Sequence, residues 1–204
     1  MKELYKDCLD ALRKNRRYLR FSFGGFFIVV LFSMVYVLLM PGEKIRLIKD
    51  FVDQLSETLI SNTGGKITWY GIFANNIRAA FIGGALGAVP YLFLPWFAVA
   101  VNGLILGVLP AYLHRTGTSI VKTLVFGILP HGILEIPAVL ISFAFGFLIC
   151  RKITNLVMGK EKSSQFKEAV VSFIKVYALI IVPVLLIAAL IEAYVTPVLL
   201  GMFG

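Results

Sequence analysis

Residues 118–150 form an apolar segment of about thirty residues that is almost free of charged side chains. As one straight helix it would be about 50 Å long, whereas the hydrocarbon core of a bilayer is about 30 Å thick. We therefore expect the segment to cross a membrane and to be interrupted. Pro130 and Gly132 mark the expected break, with non-helical backbone or a sharp kink, because proline removes a helical hydrogen bond and crowds the preceding turn.

Composition extends this expectation to the whole chain. Hydrophobic residues make up 59% of the sequence and charged residues only 15%, whereas soluble domains are roughly half apolar and a quarter charged. This composition predicts an all-α fold, a polytopic transmembrane helical bundle of about five spans with a broken fourth segment. Residues 1–204 are expected to form a single integral membrane domain. The expected spans are residues 21–40, 72–94, 96–113, 118–150 and 173–200.

The positions of lysine and arginine predict the orientation. If the N-terminus is cytoplasmic, about thirteen of the 20 basic residues fall on cytoplasmic segments, as the positive-inside rule requires, and the C-terminus is external. Residues 1–20 are then a basic, amphipathic, cytoplasmic segment, and residues 43–60 an external interfacial helix. The basic clusters lie beside apolar spans, so the expected partner is the lipid bilayer of the cell membrane and not a nucleic acid.

Several polar side chains fall inside the expected spans. Counting the rise per residue from the span ends places Glu135 about 22 Å above the cytoplasmic end of its span, and His131 higher still. The polar residues of the second and fifth spans also fall in the outer half of the bilayer. Because unpaired polar groups in hydrocarbon are costly, we expect one buried cluster in which Arg78 pairs with a glutamate. Its members are His131, Glu135, Asn75, Asn76, Arg78 and Glu192, with Asn102 as a further interhelical hydrogen-bond partner.

The residues leave several chemistries open for this cluster. It can be a satisfied polar network that fixes helix packing, or a path for protons or a polar solute. His131 and Glu135, four residues apart on one helical face, are candidates for two metal ligands, although they do not make a site alone. An enzyme would use His131 as acid or base and Glu135 to orient it. A zinc protease signature is excluded because the text reads H-G-I-L-E. No cofactor is expected.

Three stretches carry a resemblance to a known family. They are "FANNIRAAFIGGALGAVP" at 73–90, "NGLILG" at 102–107 and "LPHGILEIPAVLISFAFG" at 129–146. In this order and spacing the chain resembles the stage II sporulation protein M family of membrane proteins. The resemblance implies a polytopic helical protein. Its namesake is a membrane component of the engulfment machinery of endospore-forming bacteria, thought to hold two peptidoglycan-degrading enzymes at the membrane.

These observations favour a non-enzymatic membrane protein that acts as a scaffold or as a permease-like component. One alternative is a small transporter that moves protons or a polar or anionic solute through the cluster. The other is an intramembrane enzyme that uses His131 and Glu135. A symmetric transport path built from five spans would require a homodimer. A scaffold would bind its extracytoplasmic partner through residues 43–60, the sizeable external segment.

Overall fold

The computed structural model describes residues 2–62 and 68–203, with side chains described outside residues 55–62 and 203. The regular elements in these ranges are all helical, so the all-α prediction is confirmed. The helices are α1 (Lys2–Lys14), α2 (Arg16–Leu39), α3 (Ile45–Asn62), α4 (Trp69–Ala85), α5 (Pro95–Arg115), α6 (Ile120–Lys122), α7 (Leu129–Val157), α8 (Ser163–Val176), α9 (Val182–Leu190) and α10 (Thr196–Phe203).

Four continuous helices in the described ranges are long and apolar enough to cross a membrane. They are Arg16–Leu39, Pro95–Arg115, Ile120–Val157 and Ser163–Met202. They correspond to four of the five expected spans. The remaining one corresponds to α4, whose 17 residues give a length of about 26 Å. The membrane-protein class is therefore supported, and the total of about five crossings stays a prediction.

The expected span at 72–94 is wrong at its C-terminal end. Helix α4 ends at Ala85, and one short 3₁₀ turn, Leu86–Ala88, follows. Beyond it Tyr91 and Phe93 have positive φ angles of 67° and 46°, which bulky residues rarely adopt. The amide of Tyr91 donates a hydrogen bond of 2.8 Å to the hydroxyl of Thr154 and fixes this turn. A hydropathy pattern cannot reveal such a turn, because all its residues are apolar.

The stretch between the expected spans 118–150 and 173–200 is mostly helical. Helix α7 continues past Cys150 to Val157, and α8 begins at Ser163. Hydropathy measures how much of a helix is apolar, and not where the helix ends, so the polar turns at these helix ends lie outside the expected spans. The short connection is held by Glu161, whose carboxylate accepts hydrogen bonds from Lys152 at 3.0 Å and from Asn155 at 3.2 Å.

The expected non-helical break at Pro130 and Gly132 is also wrong, because both residues lie in α7. The helix instead widens into a π-helical segment one turn earlier, at Thr123–Ile128. Proline has no amide hydrogen and crowds the carbonyl four residues before it, and a wider turn relieves both problems without ending the helix. The same arrangement recurs in the last helix, where the π segments Tyr177–Ile181 and Ile191–Val195 precede Pro183 and Pro197.

The chain divides into two compact units. The first contains Met1–Gly25, Asn76–Val99 and Leu134–Leu185. In it α1 packs against α8, and the ion pairs Lys14–Glu168 and Lys175–Asp7 connect them at 2.7 and 2.9 Å.

Glycines bring α4 and α7 together in this first unit. A Cβ added at Gly87 would overlap the backbone of Gly146, and one added at Gly83 would overlap the ring of Phe143. The glycines of the "GGALG" stretch at 83–87 therefore serve packing, since small residues let two backbones approach closely.

The second unit contains Phe26–Asn75, Ala100–Ile133 and Leu186–Gly204. Helix α5 approaches α2 through Gly103 and Gly107, where an added Cβ would meet Val29 and Ser33 respectively. The guanidinium of Arg115 donates hydrogen bonds to the last carbonyls of α2, including that of Met40. A cation at this position satisfies the free carbonyls and interacts favourably with the helix dipole.

Helix α3 matches the expected amphipathic helix at 43–60. Its apolar side chains Ile45, Ile48 and Val52 pack against a buried cluster within the same unit. That cluster consists of Val37, Val108 and Ala111. The apolar face of α3 is thus anchored on α2 and α5. The external location of α3 and the orientation of the chain stay predictions.

Candidate functional site

The centre of the candidate site is the imidazole of His131, the third residue of α7. Its Nδ1 lies 3.3 Å from the hydroxyl oxygen of Thr196, the first residue of α10. Both residues belong to the second unit. Helix α10 packs against the π segment Thr123–Ile128 that precedes α7, which brings the two side chains into reach. The imidazole is half-buried, and Thr196 is buried, with 6% of its surface exposed.

The hydrogen bond from the Thr196 hydroxyl to a backbone carbonyl favours one tautomer of His131. This hydroxyl donates its single hydrogen to the carbonyl of Ile191, at 3.4 Å. It can then only accept from His131, so we assign the hydrogen of the neutral imidazole to Nδ1. The lone pair is left on Nε2. The π segment makes this arrangement possible, because the Ile191 carbonyl also accepts the amide of Thr196, five residues later.

Glu192 lies in the same π segment, four residues before Thr196. Residues four apart occupy one face of a helix, so the carboxylate and the hydroxyl point to the same side. The ligand atoms of Glu192 and His131 lie within 4.8 Å of each other. Both residues are in the second unit. The π turn therefore places an acid next to the imidazole, as π bulges at functional sites often do.

Glu135 follows His131 by four residues in the continuous helix α7. Helical geometry places the two side chains on one face of α7. Its side chain is half-buried. Helical spacing alone thus accounts for the predicted His131–Glu135 pair, whereas the proximity of Glu192 depends on the packing of the last helix.

The other predicted members are placed differently. Arg78 belongs to α4 in the first unit, and its side chain is exposed. Its pairing with a glutamate stays a prediction. Asn76 also belongs to α4 and is buried, and its Nδ2 has no hydrogen-bond partner among the described residues. Asn75 and Asn102, both half-buried, belong to the second unit.

Two of the predicted residues in the second unit offer metal-ligand atoms. His131 provides a nitrogen, and Glu192 provides a carboxylate oxygen. The sequence had identified His131 and Glu135 as candidate ligands, and Glu135 belongs to the first unit. Imidazole binds zinc and iron well, and carboxylates bind manganese, zinc and iron.

Thr196 was missed by the sequence reading. The signal was present, because Thr196 follows Glu192 by four residues and so had to share its helical face. Threonine is common inside membrane helices, where its hydroxyl bonds the preceding turn, so the residue alone gave no reason to single it out.

Long apolar helices with an imidazole and carboxylates inside them define a polytopic helical membrane protein with a buried polar site. The family model described as "Stage II sporulation protein M" matches residues 22–197. The chain therefore belongs to the stage II sporulation protein M family, and the resemblance seen in the three stretches of sequence is confirmed.

One relative of this chain is an uncharacterized protein of Methanocaldococcus jannaschii, MJ0793. It is 35% identical over 126 residues, which cover 62% of this chain and 69% of the relative. No solved structure matches the chain.

Proposed function

We propose that the protein is a non-enzymatic, permease-like membrane component that takes up and releases a proton or a small cation at His131 and Glu192. The observation that carries the proposal is the proximity of these two side chains, within 4.8 Å, inside two of the helices that can span a membrane. Ionisable groups inside membrane-spanning helices face the protein interior or a water-filled cavity, and they mark ion and proton pathways.

The contacts of the two residues support this proposal over a purely structural network. Thr196 satisfies only one nitrogen of His131, so Nε2 keeps a lone pair that a proton or cation can bind. A carboxylate beside that lone pair stabilises whichever cation arrives. By contrast, the buried hydroxyl of Ser142 donates to the carbonyl of Ala80 and is fully used within its unit.

A hydrolytic role receives less support. Acid–base chemistry at His131 would need a nucleophile or an activated water in reach. Ser142, also in α7, is fully buried and donates its hydrogen to a backbone carbonyl. We therefore assign the cluster to cation handling.

The test is a proton-flux measurement on purified protein in liposomes. A potassium diffusion potential drives protons inward, and a trapped pH-sensitive dye reports them. We expect flux with the wild-type protein, and flux near that of empty vesicles with Glu192→Gln and His131→Gln. The control Glu43→Gln makes the same chemical change at an exposed position and should keep full flux. Equal flux in all four proteins, or none in the wild type, would contradict the proposal.

A scaffold function is the second candidate, because α3 presents a polar face. Its apolar residues are fixed against the second unit, while Arg46, Lys49 and Asp53 are exposed. A helix anchored in this way offers a rigid charged surface to a partner protein. A photo-crosslinker at Lys49 should then capture one defined partner in cells. A crosslinker at Tyr36, an exposed residue of α2, serves as the control and should not.

A further inference from the structure

We propose that a groove on the second unit binds one phospholipid with an anionic headgroup, with an acyl chain along α2 and the phosphate at Lys44. The groove has a volume of about 370 Å³, within the range of about 300 to 1,000 Å³ that is usual for small-molecule sites. None of its residues belongs to the proposed cation-handling pair, His131 and Glu192. The lining residues, all in the second unit, include Phe32, Val35, Tyr36, Leu39, Met40 and Lys44.

The long wall of the groove is an apolar strip on the surface of α2. Phe32 and Tyr36 are one helical turn apart, and their rings stack with centroids 6.5 Å apart. Val35 and Leu39 repeat the same spacing, so the four side chains share one face of the helix. Three of them are largely exposed: Phe32 at 70%, Tyr36 at 56% and Leu39 at 79%. Because α2 is apolar enough to span a membrane, the material that covers this strip is the acyl chain of a lipid.

Lys44 gives the groove one charged end. Helix α2 ends at Leu39, and the 3₁₀ turn Gly42–Lys44 follows, so Lys44 lies where the apolar span gives way to polar residues. Lysines at the ends of membrane helices extend their methylene groups along apolar surface and direct the ammonium group to the lipid phosphates. The ion pairs within the described residues do not include Lys44 or its exposed neighbour Glu43. The ammonium group is therefore available to a phosphate.

Arg115 compensates the negative charge that would repel an anion at this end of the groove. The last carbonyls of a helix carry a partial negative charge. The guanidinium of Arg115 donates hydrogen bonds to three of these carbonyls in α2, those of Val37, Leu38 and Met40. The charge of Lys44 is then added to an already compensated helix end. This favours a headgroup with net negative charge over a zwitterionic one, whose own ammonium would be repelled by Lys44.

Native mass spectrometry of the purified protein, titrated with one lipid at a time, tests the charged end. We expect one bound dioleoylphosphatidylglycerol per chain and an affinity for dioleoylphosphatidylcholine that is about fivefold lower. Lys44→Gln should lose about fivefold in phosphatidylglycerol affinity and should no longer discriminate between the two lipids. The control Lys49→Gln removes the same charge at an exposed position of α3 outside the groove, and it should bind as the wild type does.

A second variant tests the apolar wall. Val35 is 48% exposed, so the larger side chain of Val35→Trp extends into the groove and not into the core. It should lower the affinity for both lipids by at least about tenfold, because several methylene groups of the acyl chain lose their contacts. Ile28→Trp makes a similar change at a 69% exposed position of the same helix outside the groove. It should keep the wild-type affinity.

A photo-crosslinker at Tyr36 identifies what occupies the groove in cell membranes. We expect adducts with the mass of one phospholipid per chain. A crosslinked dimer would overturn the proposal and assign the groove to a second copy of this chain. Equal affinity of the wild type for the two lipids would also overturn it, as would equal losses in Lys44→Gln and Lys49→Gln.

Discussion

The two units of the chain use similar helix contacts but employ their internal polar side chains differently. In the first unit the buried hydroxyl of Ser22 donates to the carbonyl of Leu140, and that of Ser142 to the carbonyl of Ala80. Tyr177 bonds a backbone carbonyl in the same way. Its ion pairs lie at exposed or partly exposed positions, as between Lys14 and Glu168. Polar groups in this unit therefore join one helix to another.

In the second unit some side chains also bond backbone carbonyls, as the hydroxyl of Ser33 does. His131 differs, because its imidazole contacts the hydroxyl of Thr196 and lies beside Glu192. A hydroxyl bonded to a backbone carbonyl has little left to offer a ligand, whereas an imidazole held by one nitrogen keeps the other free. The difference separates polar residues that hold the fold from polar residues that are available for chemistry. The predictions below test this separation, beginning with the largest expected effect.

The glycine contact of the first unit should tolerate no side chain. Gly87→Ala places a methyl group onto the backbone of Gly146, which cannot move without shifting α7. We expect a loss of more than about 3 kcal/mol in the free energy of unfolding, with poor expression. Thermal unfolding in detergent measures the loss.

Two further alanine variants serve as controls for the loss of stability expected in Gly87→Ala. Gly24→Ala meets nothing within 4 Å and should be neutral or slightly stabilising. In the second unit, Gly103→Ala meets the side chain of Val29 at 2.9 Å, which can adjust. It should lose only about 1 kcal/mol. Equal unfolding temperatures for Gly87→Ala and Gly24→Ala would refute the close contact between α7 and the 3₁₀ turn that follows α4.

Removing one hydroxyl from each unit should separate stability from function. Ser142→Ala and Thr196→Val each lose buried hydrogen bonds, and each should cost about 1 kcal/mol in stability. Only Thr196→Val should lower proton flux, by tenfold or more, because it removes the oxygen that holds the ring of His131. Flux assays on both variants, beside their unfolding temperatures, make the comparison. Loss of function in Ser142→Ala alone would invert the assignment of the units.

The ion pair between Lys152 and Glu161 should make a small, pH-dependent contribution. Desolvation opposes ionisation of Glu161, but its hydrogen bonds from Lys152 and Asn155 and the charges of Lys152 and Arg151 outweigh it. Together they hold its pKa below the usual 4.5. The contribution is therefore complete above the unfolded-state pKa and disappears as pH falls through the lower folded-state pKa.

The side chain of Glu161 is 19% exposed, so we expect no more than about 1 kcal/mol. Unfolding of the wild type and Glu161→Gln in nanodiscs should differ at pH 7, and the difference should shrink only as the pH falls below the usual 4.5. Equal unfolding temperatures of the two proteins at pH 7 would contradict the depressed pKa.

Asn76 should have the smallest effect and the opposite sign. Its Nδ2 is buried and has no partner within the described part of the chain. Asn76→Leu removes this donor at similar volume and should leave stability unchanged or raise it by up to about 1 kcal/mol. Measured unfolding temperatures test this, with Asn76→Asp as a contrast that should destabilise. A loss of proton flux in Asn76→Leu would instead assign Asn76 to the functional residues.

The sequence predicted which segments are helical and apolar better than where helices end. The apolar runs of the sequence match α2, α5 and the long continuous helices Ile120–Val157 and Ser163–Met202. They match because hydropathy reports how well a segment suits a lipid environment. Hydropathy does not report helix ends, so the polar turns up to Val157 were missed. The early end of α4 was missed because the left-handed residues Tyr91 and Phe93 are aromatic, and composition predicts no turn there.

Part of the candidate site could be predicted from the sequence. The pair His131 and Glu135 follows from helical spacing within one element. The proximity of Glu192 depends on how the last helix packs, and Thr196 has no signal apart from its spacing to Glu192. Depth in the bilayer could not select among polar residues, because it assigns a height and not a direction around the helix axis. Arg78 was included on height alone, and its side chain is exposed.

The paired wide turns of the last helix have a mechanical consequence. Tyr177–Ile181 and Ile191–Val195 each fit one extra residue into a turn, and α9 lies between them. When such a turn slips along a helix by its own length, every residue it passes rotates by about 100° around the axis. Helix α9, between the two π segments, can rotate about its own axis while its ends stay hydrogen-bonded. A cation bound at Glu192 would then fix the rotation angle of this helix about its axis.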